Sequence, residues 1–176
     1  MAELISPDKI NEFFDGGFER SAWRLETQRR YDSDTHSRPY QRFIAGQDPS
    51  RDPDGPWYAT IRSLVATGRT VERVRLVDTP PTVGQRFLLT GSPFNIAAGE
   101  DIRYLTRDQA QSLGLPMRDF WLFDDAVIAT LHFDEGGVCS GMELDHDPAR
   151  IVEGCRIRDL AWQHAVRYEE FRVAVT

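Results

Sequence analysis

The stretch Asp119–Asp147, DFWLFDDAVIATLHFDEGGVCSGMELDHD, decides the fold class. Three strand-like runs lie in it: Phe120 to Phe123, Val127 to Phe133 and Val138 to Leu144. They are joined by Asp124-Asp125 and by Asp134-Glu135-Gly136-Gly137, residue types that accept tight turns. The pattern reads as a meander at the centre of a sheet. Asp147-Pro148 follows at once and opens a helix, with Asp147 as N-cap and proline at the first helical position. That helix is read as the last element, with a buried stripe of Ile151, Val152, Cys155, Leu160, Ala161 and Trp162.

Upstream, Ser6-Pro7-Asp8 is a second helix start, and Ile10, Phe13 and Phe14 follow at helical spacing until Gly16-Gly17. From Ser21, Trp23 and Leu25 alternate with Arg24, Glu26 and Gln28, the signature of a half-buried strand, here expected to run to about Tyr31. A short helix is expected from Pro39 to Ala45. The segment GQDPSRDPDGP then has the composition of a mobile surface connection. Trp57, Tyr58, Ile61, Leu64 and Val65 form one helical stripe ending at Gly68. Val71 to Val77 is a strand, so helix, glycine and strand make half of a βαβ unit. Val83 to Leu89 reads as a short helix that Gly91 and Pro93 interrupt. Ile102 to Leu105 is a strand and Asp108 to Leu113 a helical turn. The result is a single α/β domain over residues 1–176, a mixed sheet with helices on both faces.

Composition bounds the function. A chain of 176 residues with 40% hydrophobic residues builds one core without staples. A net charge of -7 disfavours direct nucleic-acid binding through a basic surface. The N-terminus MAELISPDKINEFF has neither the basic start nor the apolar run of a signal peptide, and no stretch reaches the length of a membrane span. Cys139 and Cys155 read as reduced core residues, so a cytoplasmic location is the expectation. Lys9 is the only lysine among the 21 basic residues, which points to a GC-rich source and weakens any case that an individual arginine was selected over lysine.

Candidate chemistry gathers around arginine and aspartate. Arg73 and Arg75 stand two apart on one strand and share a face. With Arg24 and Arg103 on neighbouring strands, four guanidiniums could meet at a cleft that binds a small anionic ligand. The competing explanation is ion pairing with Glu26, Glu72 or Glu100. Asp119, Asp124 and Asp125 could serve acid–base or metal chemistry, against which Asp124 and Asp125 also suit a turn. Asp119, beside Phe120 and Trp121, is the carboxylate that turn chemistry explains least, and Trp121 could line a pocket. His132, Asp134, Cys139, Asp145, His146 and Asp147 lack any zinc-site spacing. No metal and no cofactor is expected.

Two resemblances extend this reading. FFDGGFERSAWRLE, GRTVERVRLV, NIAAGEDIRYL and DFWLFDD resemble an uncharacterised actinobacterial family built on a domain of unknown function. Its members are often encoded beside helix-turn-helix regulators, and the likeness spans about Phe13 to Phe171. In architecture, GRTVERVRL, GEDIRYL, WLFDDAVIATLHF and DLAWQHA are similar to half of a phospholipase D-like fold. Active members of that fold use a His nucleophile and a Lys ahead of an Asp. With Asp124 as that Asp, their places hold Met117 and Asp119; with Asp125, they hold Arg118 and Phe120. Neither register supplies a nucleophile. The resemblance implies a degenerate half without its catalytic motif, and by analogy a homodimer. The expected function is therefore a non-catalytic accessory module binding a protein partner, such as a helix-turn-helix transcriptional regulator, or a small effector. The alternative is a phosphoester hydrolase with a non-standard Asp/Arg centre.

Overall fold

The computed structural model describes residues 4–175. Among these, seven strands form one mixed sheet in the order β6-β5-β4-β1-β2-β3-β7. They are β1 (Ser21–Glu26), β2 (Thr70–Val77), β3 (Asp101–Thr106), β4 (Asp119–Phe123), β5 (Val127–Phe133), β6 (Cys139–Asp145) and β7 (Val166–Arg167). β1, β2 and β3 run parallel, and β4 pairs antiparallel with β1. β5 and β6 continue the meander, and β7 closes the other edge against β3.

The helices cover both faces, as the patterning implies. On one face lie α1 (Ile10–Glu12), α4 (Pro56–Ala66) and α5 (Val83–Ala98), with the short α2 (Asp32–Thr35) and α3 (Arg38–Ile44) preceding α4. There Phe14, Ile61 and Leu64 pack on Ala22, Val71, Trp121 and Phe123. On the other face, α6 (Arg107–Ser112) and α7 (Pro148–His164) cover Trp23, Leu25, Val74, Leu105, Phe120 and Leu122. Near the β3 edge, α8 (Tyr168–Val175) lays Phe171 on Tyr104.

Several expectations change. The meander forms one flank of the sheet, and the central strand is β1. The reason is visible along β4, β5 and β6: β4 is buried throughout, whereas β6 ends among half-exposed Glu143, Leu144 and Asp145. Arg24 and Glu26 gave β1 the look of a half-solvated strand, yet both its faces are covered. β1 also stops at Glu26 rather than near Tyr31, because the Thr27 N–H turns to a side-chain carboxylate, Asp119 Oδ1, at 2.7 Å.

α5 is one helix of 16 residues that carries Pro93 within it. A capping box between Thr82 and Gln85 starts it, and Gly99 at φ 114° ends it. Gly91 is tolerated because the Arg51 guanidinium lies against it; a Cβ there would sit 2.8 Å from Arg51 Cζ. Arg51 thereby ties down the segment read as a free surface connection.

Finally, α7 turns Ile157 and Ala161 inward, while Val152 is 69% exposed, and β7 and α8 follow it. Two substitutions in this one helix therefore separate. Ile157→Ala should cost about 2–5 kcal/mol in urea unfolding, and Val152→Ala should stay within about 0.5 kcal/mol of the parent.

Candidate functional site

The parallel register places Arg24 opposite Arg73 and Glu26 opposite Arg75, and the antiparallel register places Trp121 opposite Arg24. Cross-strand partners share a face, so these side chains project together under α4 and α5. Two strand-borne arginines side by side would repel. Glu26 resolves the conflict. Its Oε2 accepts from Arg75 Nε at 2.6 Å, and its Oε1 accepts from Arg73 Nη1 at 2.8 Å. Arg24 Nη1 stands 3.4 Å from the same Oε1. Behind them, Arg73 Nε lies 3.0 Å from Glu100 Oε2, and Arg24 Nη2 donates to Asp119 Oδ2 at 3.0 Å.

Burial by itself would raise the pKa of Glu26. The guanidiniums of Arg75, Arg73 and Arg24 outweigh burial and hold it far below the ordinary carboxylate range. Burial would likewise lower Arg24 and Arg75, but Glu26 outweighs it, and both stay firmly protonated. Tyr31 donates to Asp119 Oδ2 at 2.7 Å, and burial followed by the Asp119 charge pushes its hydroxyl well above the usual phenol range.

Aromatic rings interleave with this layer. Arg24 lies 5.3 Å from the Tyr31 ring centre and 5.4 Å from that of Trp121. Arg73 lies 5.3 Å from Trp121 and 5.2 Å from Trp57. The order Tyr31, Arg24, Trp121, Arg73, Trp57 is thus a ladder of alternating rings and guanidiniums. Trp57 Nε1 donates to Glu100 Oε1 at 2.7 Å, and the Phe14 ring centre lies 5.0 Å from those of both Trp57 and Trp121 in edge-to-face packing. Above the ladder is a cavity of about 760 Å³. Arg24, Glu26, Arg73 and Arg75 contribute to its floor. Phe14, Trp57 and Phe87 stand in its walls, and Asp34 and Arg51 reach it from the segment between β1 and α4. Its size suits a ligand of drug-like dimensions.

Of the residues singled out from the sequence, Arg24, Arg73, Arg75 and Trp121 meet at this cavity. Arg103 does not. It pairs with Val74 in the register and so points to the opposite face, where it lies 3.8 Å from the Trp162 ring centre and bonds Asp101. Asp119 is wholly buried beneath the floor, its oxygens taken by Arg24, Tyr31, the Thr27 N–H and the Thr27 hydroxyl. Asp124 sits at the far end of β4. It accepts from the backbone N–H groups of Glu19, Arg20 and Ser21 at 2.7, 2.7 and 2.9 Å. Burial would raise its pKa, and these donors lower it instead. With φ of 53° and 56°, Asp124 and Asp125 form the hairpin turn. Among the described residues, no three His, Cys, Asp or Glu side chains gather as a metal site.

Tyr31, Asp34, Arg51, Trp57 and Phe87 were not foreseen at the cavity. A glycine in mid-helix at position 91 was the one available sign of Arg51, since it marks a close approach.

Fold and site together define an α/β domain with a charged, aromatic-walled chamber on one face of its parallel strands. The family model described as Domain of unknown function (DUF6879) matches residues 8–173, and the chain belongs to that family. No curated protein matches it.

Glu26→Gln should cost about 3–5 kcal/mol at neutral pH, since it leaves buried guanidiniums uncompensated. In the parent, the lowered Glu26 pKa means that the unfolded chain takes up this proton first as pH falls. Stability present above about pH 4.3 therefore declines below it. Urea unfolding from pH 6 down to about pH 3 should show this decline in the parent and a shallower one in Glu26→Gln.

Proposed function

We propose that this domain is a non-catalytic binding module that holds a small effector in the chamber and works with a helix-turn-helix transcriptional regulator. The observation that carries the effector half is the pre-built chamber of about 760 Å³, whose charged floor is already locked by its own ion pairs. Such a site needs no rearrangement of its polar groups to receive a ligand, which favours binding. The regulator half, an actinobacterial source and a cytoplasmic setting rest on the sequence resemblance and on the net charge of -7, which disfavours the domain itself as the DNA-contacting part. Among the described residues, no helix is long and apolar enough to cross a membrane.

A phospholipase D-like origin belongs to the same proposal. Its support is the arrangement of parallel β2 and β3 with the antiparallel meander β4–β6. A homodimer is proposed only by that analogy. The alternative, phosphoester hydrolysis at an Asp/Arg centre, draws no support from the geometry. Asp119 has its oxygens occupied under the floor, and Asp124 binds backbone at the opposite end of β4.

Native mass spectrometry and a thermal-shift screen of a metabolite library test the effector half. A bound mass or a set of stabilising compounds is expected, and Leu88→Trp, which fills the chamber, should abolish either signal while the protein stays folded. Neither signal in the parent would refute it. Co-elution with the helix-turn-helix protein encoded at the same locus is expected, and separate elution of the two at micromolar concentration would refute the regulator half.

A further inference from the structure

The charges that face the chamber do not all find partners within the fold. Arg24, Arg73 and Arg75 are matched by Glu26, Glu100 and Asp119, three cations against three carboxylates. Two charges remain. Arg51 lies 4.4 Å from the Phe87 ring centre. Its Nη2 reaches only neutral acceptors, the Phe87 carbonyl at 3.2 Å and Thr90 Oγ1 at 3.4 Å, and its Nε has no partner. Asp34, half-buried in the same chamber lining, has no hydrogen bond or ion pair to its carboxylate among the described residues. Burial, followed by the Glu26 charge, raises its pKa. Arg75, Arg51 and Arg24 counter that rise in part, yet none of them forms an ion pair with Asp34 within 4.0 Å. Asp52 also borders the chamber, but its carboxylate accepts from the Asp54 N–H at 2.9 Å and shapes its own turn.

A carboxylate and a guanidinium that both line the chamber, neither in an ion pair and not bonded to each other, are complementary to a molecule that carries both signs. Phe87, Trp57 and Tyr58 line the same chamber, surfaces for an apolar or aromatic body. We infer that the effector is a small zwitterion of the amino-acid type. Its ammonium group sits on Asp34, its carboxylate on Arg51, and its apolar side chain lies among the aromatic walls. This rests on the effector reading given above. The locked floor is the reason the ligand is not a simple anion: the guanidiniums of Arg24, Arg73 and Arg75 already hold carboxylates in fixed geometry, and a charged competitor would leave Glu26 buried and unpaired.

Three probes of one shape decide it by isothermal titration calorimetry: L-phenylalanine, hydrocinnamate, which lacks the ammonium, and phenethylamine, which lacks the carboxylate. L-phenylalanine should bind at least about tenfold more tightly than either. Asp34→Asn should reduce it to the level of hydrocinnamate, and Arg51→Met to that of phenethylamine. Asp34→Asn should also raise the melting temperature of the free protein at neutral pH, because it removes a half-buried charge without a partner. Hydrocinnamate or phenethylamine binding as well as L-phenylalanine would overturn the inference, and so would the absence of binding by L-phenylalanine up to about 10 mM. Those results leave the chamber as an effector site of another class if the library screen gives stabilising compounds, and remove both readings if it gives none. The comparison of probes on the parent protein stands even if a variant fails to fold.

Discussion

Glu26 is a carboxylate almost out of contact with water, ringed by the guanidiniums of Arg24, Arg73 and Arg75. Taking these charges out of water costs several kcal/mol each, and their mutual attraction returns that only when geometry is good. Here the geometry is supplied by strand register. The parallel pairing of β1 with β2 sets Glu26 opposite Arg75 and one step from Arg73, so the ion cluster and the sheet specify each other. A slip of one residue would drive the arginines into the apolar layer beneath α7. The cluster also reaches beyond the sheet. Arg75 donates to the Leu88 carbonyl and to Ser92, and Tyr104 donates to Ser92, so α5 is docked by polar contacts as well as by Phe87.

The same contacts explain why the chamber keeps its shape. Rings and guanidiniums alternate from Tyr31 to Trp57, each cation backed by a carboxylate, so no floor residue can leave without exposing a charge to a low-dielectric interior. Phe14 and Phe87 then add apolar walls from two separate parts of the chain. A polar floor tied by ion pairs, apolar walls and the two charges of Asp34 and Arg51 therefore line one chamber.

Much of the frame was legible in the sequence. Period-two alternation found β1, apolar runs bounded by turn residues found β2 to β6, an apolar stripe ending at Gly68 found α4 and the Asp147-Pro148 cap found α7, and helices were expected on both faces. What failed did so for physical reasons. A run of aromatic and aliphatic residues marks a buried strand but does not say which strand is innermost, and charged residues on β1 hid that it was. Proline lacks only one donor, and Pro93 is accommodated in α5 where propensity forbade it. At the site, spacing on β2 correctly put Arg73 and Arg75 on one face. Nothing in spacing could tell that β3 would be offset so that Arg103 faces the other way. Asp34 comes from a single helical turn and Arg51 from irregular chain, where sequence pattern carries little directional signal.

Asp119 has a consequence out of proportion to one side chain. By capturing the Thr27 N–H and hydroxyl it takes the place that a further ladder bond would have filled, and the chain is turned out of the sheet at that point. The excursion so released runs as far as Pro56, brings with it the phenol of Tyr31, and adds Asp34 and Arg51 to the chamber lining. A single buried acid thus decides where β1 ends and provides the lining with its upper storey.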